Sequence, residues 1–444
     1  MRSGSVAARV RRLVESLLGG APSRDAWRTG GGTVALSGAT LVSNVVITFA
    51  LARLAGADGY GVYAFAMAFS GLLAVPAVLG VSPLVVRTVA AAGVTDDWGR
   101  LRGALRRANQ AVLSGSVVVV VLGAVGLLVL RSGRAELGTA SLVALGLVPV
   151  IALVTVRAAV LQGLGRVLLA RVPEAVVQPT VFLLLLVLLA ATGKLDGVRA
   201  VGAQLAAAVV ALVVGAVALT RALPAVVRAA APVYDDRVWL RAIGPLLAIN
   251  AVSQLTQRAD VLLLGTLRGP TDAGVFAVAN RAAGLCSFFL TAAVYPLAPL
   301  VARLWAEQRP RELQSVVTRA ARITSLGALV IAVPMVVLAK PLLSLFGTEF
   351  AGASVALVVL CLGQVVNAVT GACGVVLMMT GHESEVARAV VVGSVAGIGL
   401  NVALIPPFGV TGAAVGTAVG LTMVNLVLVQ RLRATTGVNS TAWS

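Results

Sequence analysis

The chain is poor in the groups from which soluble proteins and metal sites are built. Of its 444 residues only 12% are charged and 59% are hydrophobic, with a mean hydropathy of +0.99. A soluble domain carries about 25% charged residues, so this chain cannot hide its apolar surface in a water-soluble core. There is one histidine, His382, and there are three cysteines, Cys286, Cys361 and Cys373, each inside an apolar run. One histidine without cysteine or carboxylate at ligand spacing makes no metal site. No metal and no other cofactor is expected, and the cysteines read as small packing residues. No GxGxxG or GxxxxGK[ST] stands between a strand and a helix, so nucleotide binding lacks its phosphate loop. Alternating segments of about ten residues are missing, which excludes a transmembrane barrel. The longest polar intervals, around 87–108, 221–242 and 303–317, are too short to fold alone. An enzyme with its active site in a water-soluble domain is thereby excluded, and the chain reads as not an enzyme.

Apolar blocks fill most of the rest, and they run to roughly 20 residues, the length a helix needs to cross the hydrocarbon core. The expected fold is an all-α polytopic membrane protein. Twelve spans lie near 32–53, 62–82, 109–130, 138–160, 173–193, 199–220, 243–267, 274–298, 318–339, 354–379, 385–405 and 410–430. Turn residues interrupt them in "AGADGYG", "RSGRAE", "TGKLDG" and "IPPFG". The expected organisation is a basic N-terminal segment (1–30), a six-helix bundle (31–220), a linker (221–242), a second six-helix bundle (243–431) and a tail (432–444).

The formal net charge is +18. In a soluble protein that would suggest nucleic acid; here it reports orientation and no nucleic acid is expected. With the N-terminus inside, seven basic residues fall outside: Arg53, Arg131, Arg134, Lys194, Arg199, Arg268 and Lys340. Arg258 and Arg281 fall within spans, and the other 26 of the 35 lie inside. That bias places both termini in the cytoplasm, and the basic loops also suit anionic membrane lipids. Val6, Val10, Leu13, Val14, Leu17 and Leu18 follow helical spacing among six arginines of the first 30 residues. They predict a short amphipathic helix on the inner leaflet. With no continuous apolar stretch, this segment does not read as a signal peptide.

One phrase is written twice. "LAGADGYGVYAFAMA" (54–68) and "LRGPTDAGVFAVANR" (267–281) lie 213 positions apart. Leu54, Gly56, Gly61, Val62, Ala64 and Ala66 meet identical residues, and Tyr63 meets Phe276. Pro83-Leu84 and Pro296-Leu297 keep the same offset. Six spans per half is an even number, so the halves are parallel repeats, an arrangement that places substrate sites between repeats.

"RLAGADGYGVYAFAMA", "LGVSPLVVRTVA", "LQGLGR", "RADVLLLGTLRGPTDAGVFAVANR", "YPLAPLVARL", "LLSLFGTEFAGASVALVVLCLGQ" and "NVALIPPFGVTGAAVGTAVG" occur in this order. Together, over about residues 33–431, they resemble the polysaccharide transporters. These are Wzx-type flippases of the multidrug/oligosaccharidyl-lipid/polysaccharide exporter superfamily. The resemblance implies two six-helix bundles around a central cavity, moving undecaprenyl-pyrophosphate-linked sugar repeat units across the bacterial inner membrane. It implies a lipid-linked oligosaccharide as substrate, with a polysaccharide polymerase and glycosyltransferases as biosynthetic partners. Two relatives in the superfamily stay open as alternatives. Lipid II flippases usually carry fourteen helices against the twelve read here, and cation-coupled multidrug exporters use membrane carboxylates.

Charge inside a span costs about 2.5–3.5 kcal/mol on insertion scales and needs a reason. Asp260 and Arg281 sit at matched depths on consecutive antiparallel spans, about 11 Å below the outer surface at 1.5 Å per residue. That predicts a structural ion pair. Arg258 lies about 200° around the helix from Asp260 and is the candidate for a pyrophosphate or an acidic sugar, onto whose oxygens a guanidinium forks. An unseen partner or outward snorkelling is the other reading. Asn44, Asn250, Gln254, Gln257 and Asn280 complete the candidate substrate-binding set, with Asn250, Gln254 and Gln257 on one helix face. Two roles are open for these amides: interhelical hydrogen bonds or a polar wall for sugars.

Overall fold

Glycine sets the turn in both copies of the repeated phrase. The computed structural model describes residues 24–442 apart from 79–80, 96, 131–134, 194, 225, 228–229 and 234–253. The first helix, α1 (Arg24–Val78), breaks at Gly56, where φ is 70°. At the equivalent position 213 residues on, Gly269 has φ 126°. It separates α9, described over 254–267, from α10 (Pro270–Gly284). Side chains rarely tolerate that backbone region, and glycine enters it at no steric cost.

The helices between these turns are α2 (Val81–Thr95), α3 (Trp98–Leu130), α4 (Ala135–Leu145), α5 (Leu147–Gly163), α6 (Val167–Val172), α7 (Gln178–Ala191) and α8 (Gly197–Ala222). A π-helical turn, Pro173–Val177, joins α6 to α7 and carries Glu174. After α10 come α11 (Phe288–Ala306), α12 (Pro310–Val337), α13 (Ala339–Ser344), α14 (Ser354–Thr370), α15 (Cys373–Met379) and α16 (Glu383–Thr436). Among the described residues, nine helices or near-continuous helical runs are long and apolar enough to cross a membrane. Two of these, Leu36–Val78 and Glu383–Thr436, are 43 and 54 residues long, enough for two spans each. At 1.5 Å per residue a helix of the latter's length would run about 80 Å, far beyond a bilayer core of about 30 Å. It breaks at Gly409, where φ is 53°, just after Pro406 and Pro407, whose rings remove backbone donors and clash with the preceding turn. With α9, which covers the described part of the span expected at 243–267, each of the twelve expected spans is represented among the described residues. The fold is all-α and polytopic.

Two expectations change. The polar interval around 87–108 is mostly helix, because α2 runs to Thr95 and α3 starts at Trp98. The Asp97 carboxylate caps the start of α3 by accepting from the Arg100 amide at 3.0 Å, satisfying one of the first-turn donors. The interval 303–317 shrinks to the few residues between Ala306 and Pro310, where proline opens α12. In both places charge marks where the membrane ends, while the helix runs on past it. The expected amphipathic helix over 6–18, Asn250, and the 131–134 part of "RSGRAE" lie outside the described residues.

The chain forms two compact units, one of Gly31–Ala277 and the other containing Val278–Ser444. The first has a core of valine, leucine and alanine that includes Val81, Leu101, Val148, Val156 and Val160. The second is built around Val301, Leu313, Val376, Leu377 and Leu432. Apolar side chains stand exposed along α3 (Val117, Leu122), α7 (Leu184, Leu188) and α12 (Val330, Val337). Exposed apolar faces of this extent mark contact with a nonaqueous partner, here hydrocarbon.

Within the first unit the two copies of the phrase cross each other. A Cβ built on Gly61 would lie 1.7 Å from the Pro270 carbonyl oxygen, and one on Gly274 would lie 2.3 Å from the Ala57 oxygen. Gly274 is the repeat partner of Gly61 and Pro270 that of Ala57, so each copy presents the same backbone to the other. Thr271 donates its hydroxyl to the Asp58 carboxylate at 3.0 Å, again 213 positions apart. The glycines let two backbones touch where any side chain would hold them apart.

Candidate functional site

Arg258 lies on α9, four residues after Gln254. Its Nε donates to Gln254 Oε1 at 3.2 Å, one helical turn away on the same face. Its Nη1 donates to the Met67 carbonyl oxygen of α1 at 3.2 Å. That carbonyl also accepts from Ser70 Oγ at 3.3 Å. The guanidinium lies flat over Gly71: a Cβ there would come within 2.0 Å of Nη1 and 2.2 Å of Cζ. Gly71 therefore provides the space, Met67 an acceptor and Gln254 the orientation.

Two of the three guanidinium nitrogens are used. Nη2 has no acceptor among the described residues. This half-buried guanidinium, held by two neutral acceptors, presents one unpaired edge among the described residues. Such an edge suits an oxyanion, because charge-assisted bonds to phosphate or carboxylate oxygen are about twice as strong as neutral ones.

The second copy of the phrase lacks this arrangement. Gly284 is the repeat partner of Gly71, and a Cβ on it would meet no described atom within 4 Å. The partner position of Arg258 is Val45, and that of Met67 is Asn280. The duplicated scaffold thus carries one arginine cradle.

Of the other residues expected at the site, Asn44 is exposed on α1 and Gln257 is exposed on α9. They are repeat partners, 213 positions apart. Gln254 is brought to Arg258; Asn280 is half-buried on α10. Asp260 is 6% exposed and Arg281 is exposed, and neither is without an interaction. Glu174 is exposed on its π-helical turn, a distortion common at functional positions.

Sequence reasoning missed Gly71 and the Met67 carbonyl, although the offset of 213 between Gly71 and Gly284 was a usable signal. It also missed Asn425, which completes an amide string in the second unit. There Asn425 Nδ2 donates to Asn367 Oδ1 at 3.1 Å, and Asn367 Nδ2 to Gln364 Oε1 at 3.4 Å. The cysteines are all buried. Cys373 is more than apolar packing: its Sγ lies 2.7 Å from Ser440 Oγ and donates to the Thr370 carbonyl at 3.0 Å. Among the described residues no group of three histidine, cysteine or acidic side chains could hold a metal ion.

Comparison with known proteins gives a consistent set of relatives. The family described as polysaccharide biosynthesis protein matches residues 30–305, and the MatE family matches residues 245–403. A probable low-salt glycan biosynthesis flippase, Agl15, from Haloferax volcanii is 28% identical over 170 residues. That match spans 38% of this chain and 36% of the relative, little more than a third of its length. Two solved structures share the fold. An inward-facing multidrug resistance MATE family transporter of the MOP superfamily has a TM-score of 0.73 at 17% identity, over 90% of this chain and 94% of that one. The lipid II flippase MurJ in an inward closed conformation has a TM-score of 0.71 at 13% identity, over 90% and 87%. The first match extends over well more than half of the sequence and includes the repeated phrase, the Gly71 cradle and Arg258. The chain is a member of the polysaccharide biosynthesis protein family.

Proposed function

We propose that this protein is a flippase that moves undecaprenyl-pyrophosphate-linked oligosaccharide repeat units from the inner to the outer leaflet of the bacterial inner membrane, by alternating access. No bond is made or broken. The physical task is to carry a charged, hydrated headgroup past hydrocarbon while its lipid tail stays in the bilayer. The observation that carries the reading is the Arg258 guanidinium, seated on Gly71 with Nη2 unused among the described residues. Its free edge would take pyrophosphate oxygens in place of lost water, and Asn44, Asn250, Gln254, Gln257 and Asn280 would offer amides to sugar hydroxyls. Asp260 and Arg281 would form a structural pair at matched depth. Both termini on the cytoplasmic face, and supply of substrate by glycosyltransferases with a polymerase downstream, belong to the same proposal.

Reconstituted protein and a fluorescent lipid-linked oligosaccharide test it, with leaflet exchange read by a membrane-impermeant quencher. Arg258→Ala should slow exchange about 10- to 100-fold, the loss of one charge-assisted bond of about 1.5–3 kcal/mol. Exchange at the wild-type rate removes Arg258 from the mechanism.

The match to the MatE family over residues 245–403 favours a second reading, a cation-coupled drug exporter. That reading requires a titrating carboxylate, for which Asp260 is the candidate. Drug-driven transport lost in Asp260→Asn, with no exchange of lipid-linked sugar in the wild type, would select it. A lipid II flippase is distinguished by the same exchange assay run with lipid II.

A further inference from the structure

The last span of each half is followed by a short segment that folds back instead of leaving the protein. In the second unit this is Gly437–Ala442, following α16. Val438, Ser440 and Ala442 are 2%, 0% and 5% exposed, as deep as any core residue. The segment fills the break between α14 and α15. Gly371 makes that break with φ 74°, and a Cβ on it would lie 2.6 Å from the Ser440 carbonyl oxygen.

A broken helix releases backbone carbonyls that must find donors, and inside a membrane protein no bulk water supplies them. Here the strap does. The Ala442 amide donates to the Val369 carbonyl at 3.1 Å, and Ser440 Oγ donates to the Thr370 carbonyl at 2.9 Å. α12 grips the strap from the other side. Gln314 donates to the Asn439 carbonyl at 2.6 Å and accepts from the Asn439 amide at 2.7 Å. Arg322 Nε donates to the Ala442 carbonyl at 2.9 Å, and Arg433, on the last turn of α16, donates to Asn439 Oδ1 at 3.0 Å.

The first unit repeats the device with different chemistry. After α8 the chain turns at Leu223 and runs along the start of α3. Val233 donates its amide to the Gly99 carbonyl at 3.0 Å, and Arg102 donates to the Ala230 carbonyl at 2.6 Å. A Cβ on Gly99 would lie 2.8 Å from the Ala231 carbonyl oxygen and one on Gly103 1.8 Å from that of Val233, so a glycine pair four residues apart seats this segment on α3, where the side chains of Gln314 and Arg322 hold the other segment on α12. Val227 is 2% exposed. In both halves the segment after the sixth span seats on the third.

We infer that these segments are permanent straps. In the second half, Gly437–Ala442 makes the start of α12, the α14–α15 break and the end of α16 into one body throughout the transport cycle. The glycine break in the tenth span is then a filled joint and not a hinge, and motion must be sought elsewhere.

Ser440→Cys tests this through the native thiol. Cys373 Sγ lies 2.7 Å from Ser440 Oγ, so copper phenanthroline in air should join the two sulfurs. Each thiol loses its proton, and the two electrons pass through copper to dioxygen. The disulfide should form quantitatively, and the locked protein should exchange lipid-linked oligosaccharide within twofold of its dithiothreitol-reduced form. No cross-link, or exchange lost on oxidation and restored by reduction, overturns the inference. That arm rests on the flippase reading; a second arm does not. In Gln314→Ala/Ser440→Ala, amide hydrogen exchange should rise at least tenfold over 313–322 and 369–376 and stay unchanged over α5. Exchange equal to the wild type at 369–376 overturns the strap whatever the protein transports.

Discussion

Replacing Gly71 with alanine displaces Arg258 without deleting it. The new Cβ would lie 2.0 Å from Nη1 and 2.2 Å from Cζ, where ordinary contact begins near 3.4 Å. The guanidinium must therefore withdraw by about 1.4 Å, which takes a 3.2 Å bond to the Met67 carbonyl outside hydrogen-bonding range. Stability should hardly change. The obstructing atoms are the end of a flexible side chain. The gain of about 1 kcal/mol from replacing a helical glycine offsets a lost hydrogen bond of about 1 kcal/mol. Transport should change, because a 1 Å misplacement of a binding group costs about 100-fold. In the quenching assay Gly71→Ala should therefore fall close to Arg258→Ala while its melting temperature stays near that of the wild type. Gly284→Ala is the internal control: the same substitution at the repeat-related position has open space before it and should leave exchange intact. Wild-type exchange in Gly71→Ala beside a slow Arg258→Ala would refute the cradle. Equal slowing by Gly71→Ala and Gly284→Ala would refute the asymmetry.

Gly274→Ala meets backbone and not a side-chain tip, at 2.3 Å from the Ala57 oxygen and 2.8 Å from the Gly61 amide nitrogen. It should cost more than about 3 kcal/mol, toward the severe end for single substitutions, and size-exclusion of detergent-solubilised protein should find little folded material; a normal, sharp peak would mean the crossing is loose. Asn425→Leu removes the donor to Asn367 and should lower stability by about 0.6–1.7 kcal/mol, the measured range for membrane interhelical bonds, read as a small drop in melting temperature. Asp260→Asn removes a charge that is 6% exposed and should cost about 1.5–3 kcal/mol, the worth of a hydrogen bond to a charged group. Asp260→Arg/Arg281→Asp should then melt above either single variant, and failure to recover stability argues against the proposed pairing.

The gross architecture was legible because bilayer thickness dictates it. Runs of apolar residues at the right length, and a basic bias between them, require no knowledge of packing. The repeat was legible for a similar reason, since Gly56 and Gly269 carry a backbone demand that few other residues meet. What stayed hidden depends on partners distant in sequence. Gly71 reads as one glycine among 47 in the chain until Arg258 is placed over it. Met67 contributes a main-chain carbonyl, and no side chain advertises that. Arg258 read as lacking an obvious partner, because the acceptor that answers it lies 191 residues away. The ends of helices were misread where charge suggested loop, as at α2 and α3, because helix propagation follows backbone preference and capping while charge follows water. The strap was invisible because "GVNSTA" has the composition of a solvent-exposed loop, and its burial follows from carbonyls that another helix leaves open.

The crossing of Gly61 over Gly274 joins a residue to its own repeat partner. Contact of that kind is isologous, the geometry by which identical subunits form two-fold dimers. Read as ancestry, it is what a half-length protein would have made with a second copy of itself, later kept when the two genes fused. Inheritance is coupled there in a way it is not at Gly71 and Gly284. Once the copies could diverge, a valine or an arginine could appear on one side alone, as at positions 45 and 258. The crossing admits no such drift, since a mutation in either copy is judged by the main chain of the other.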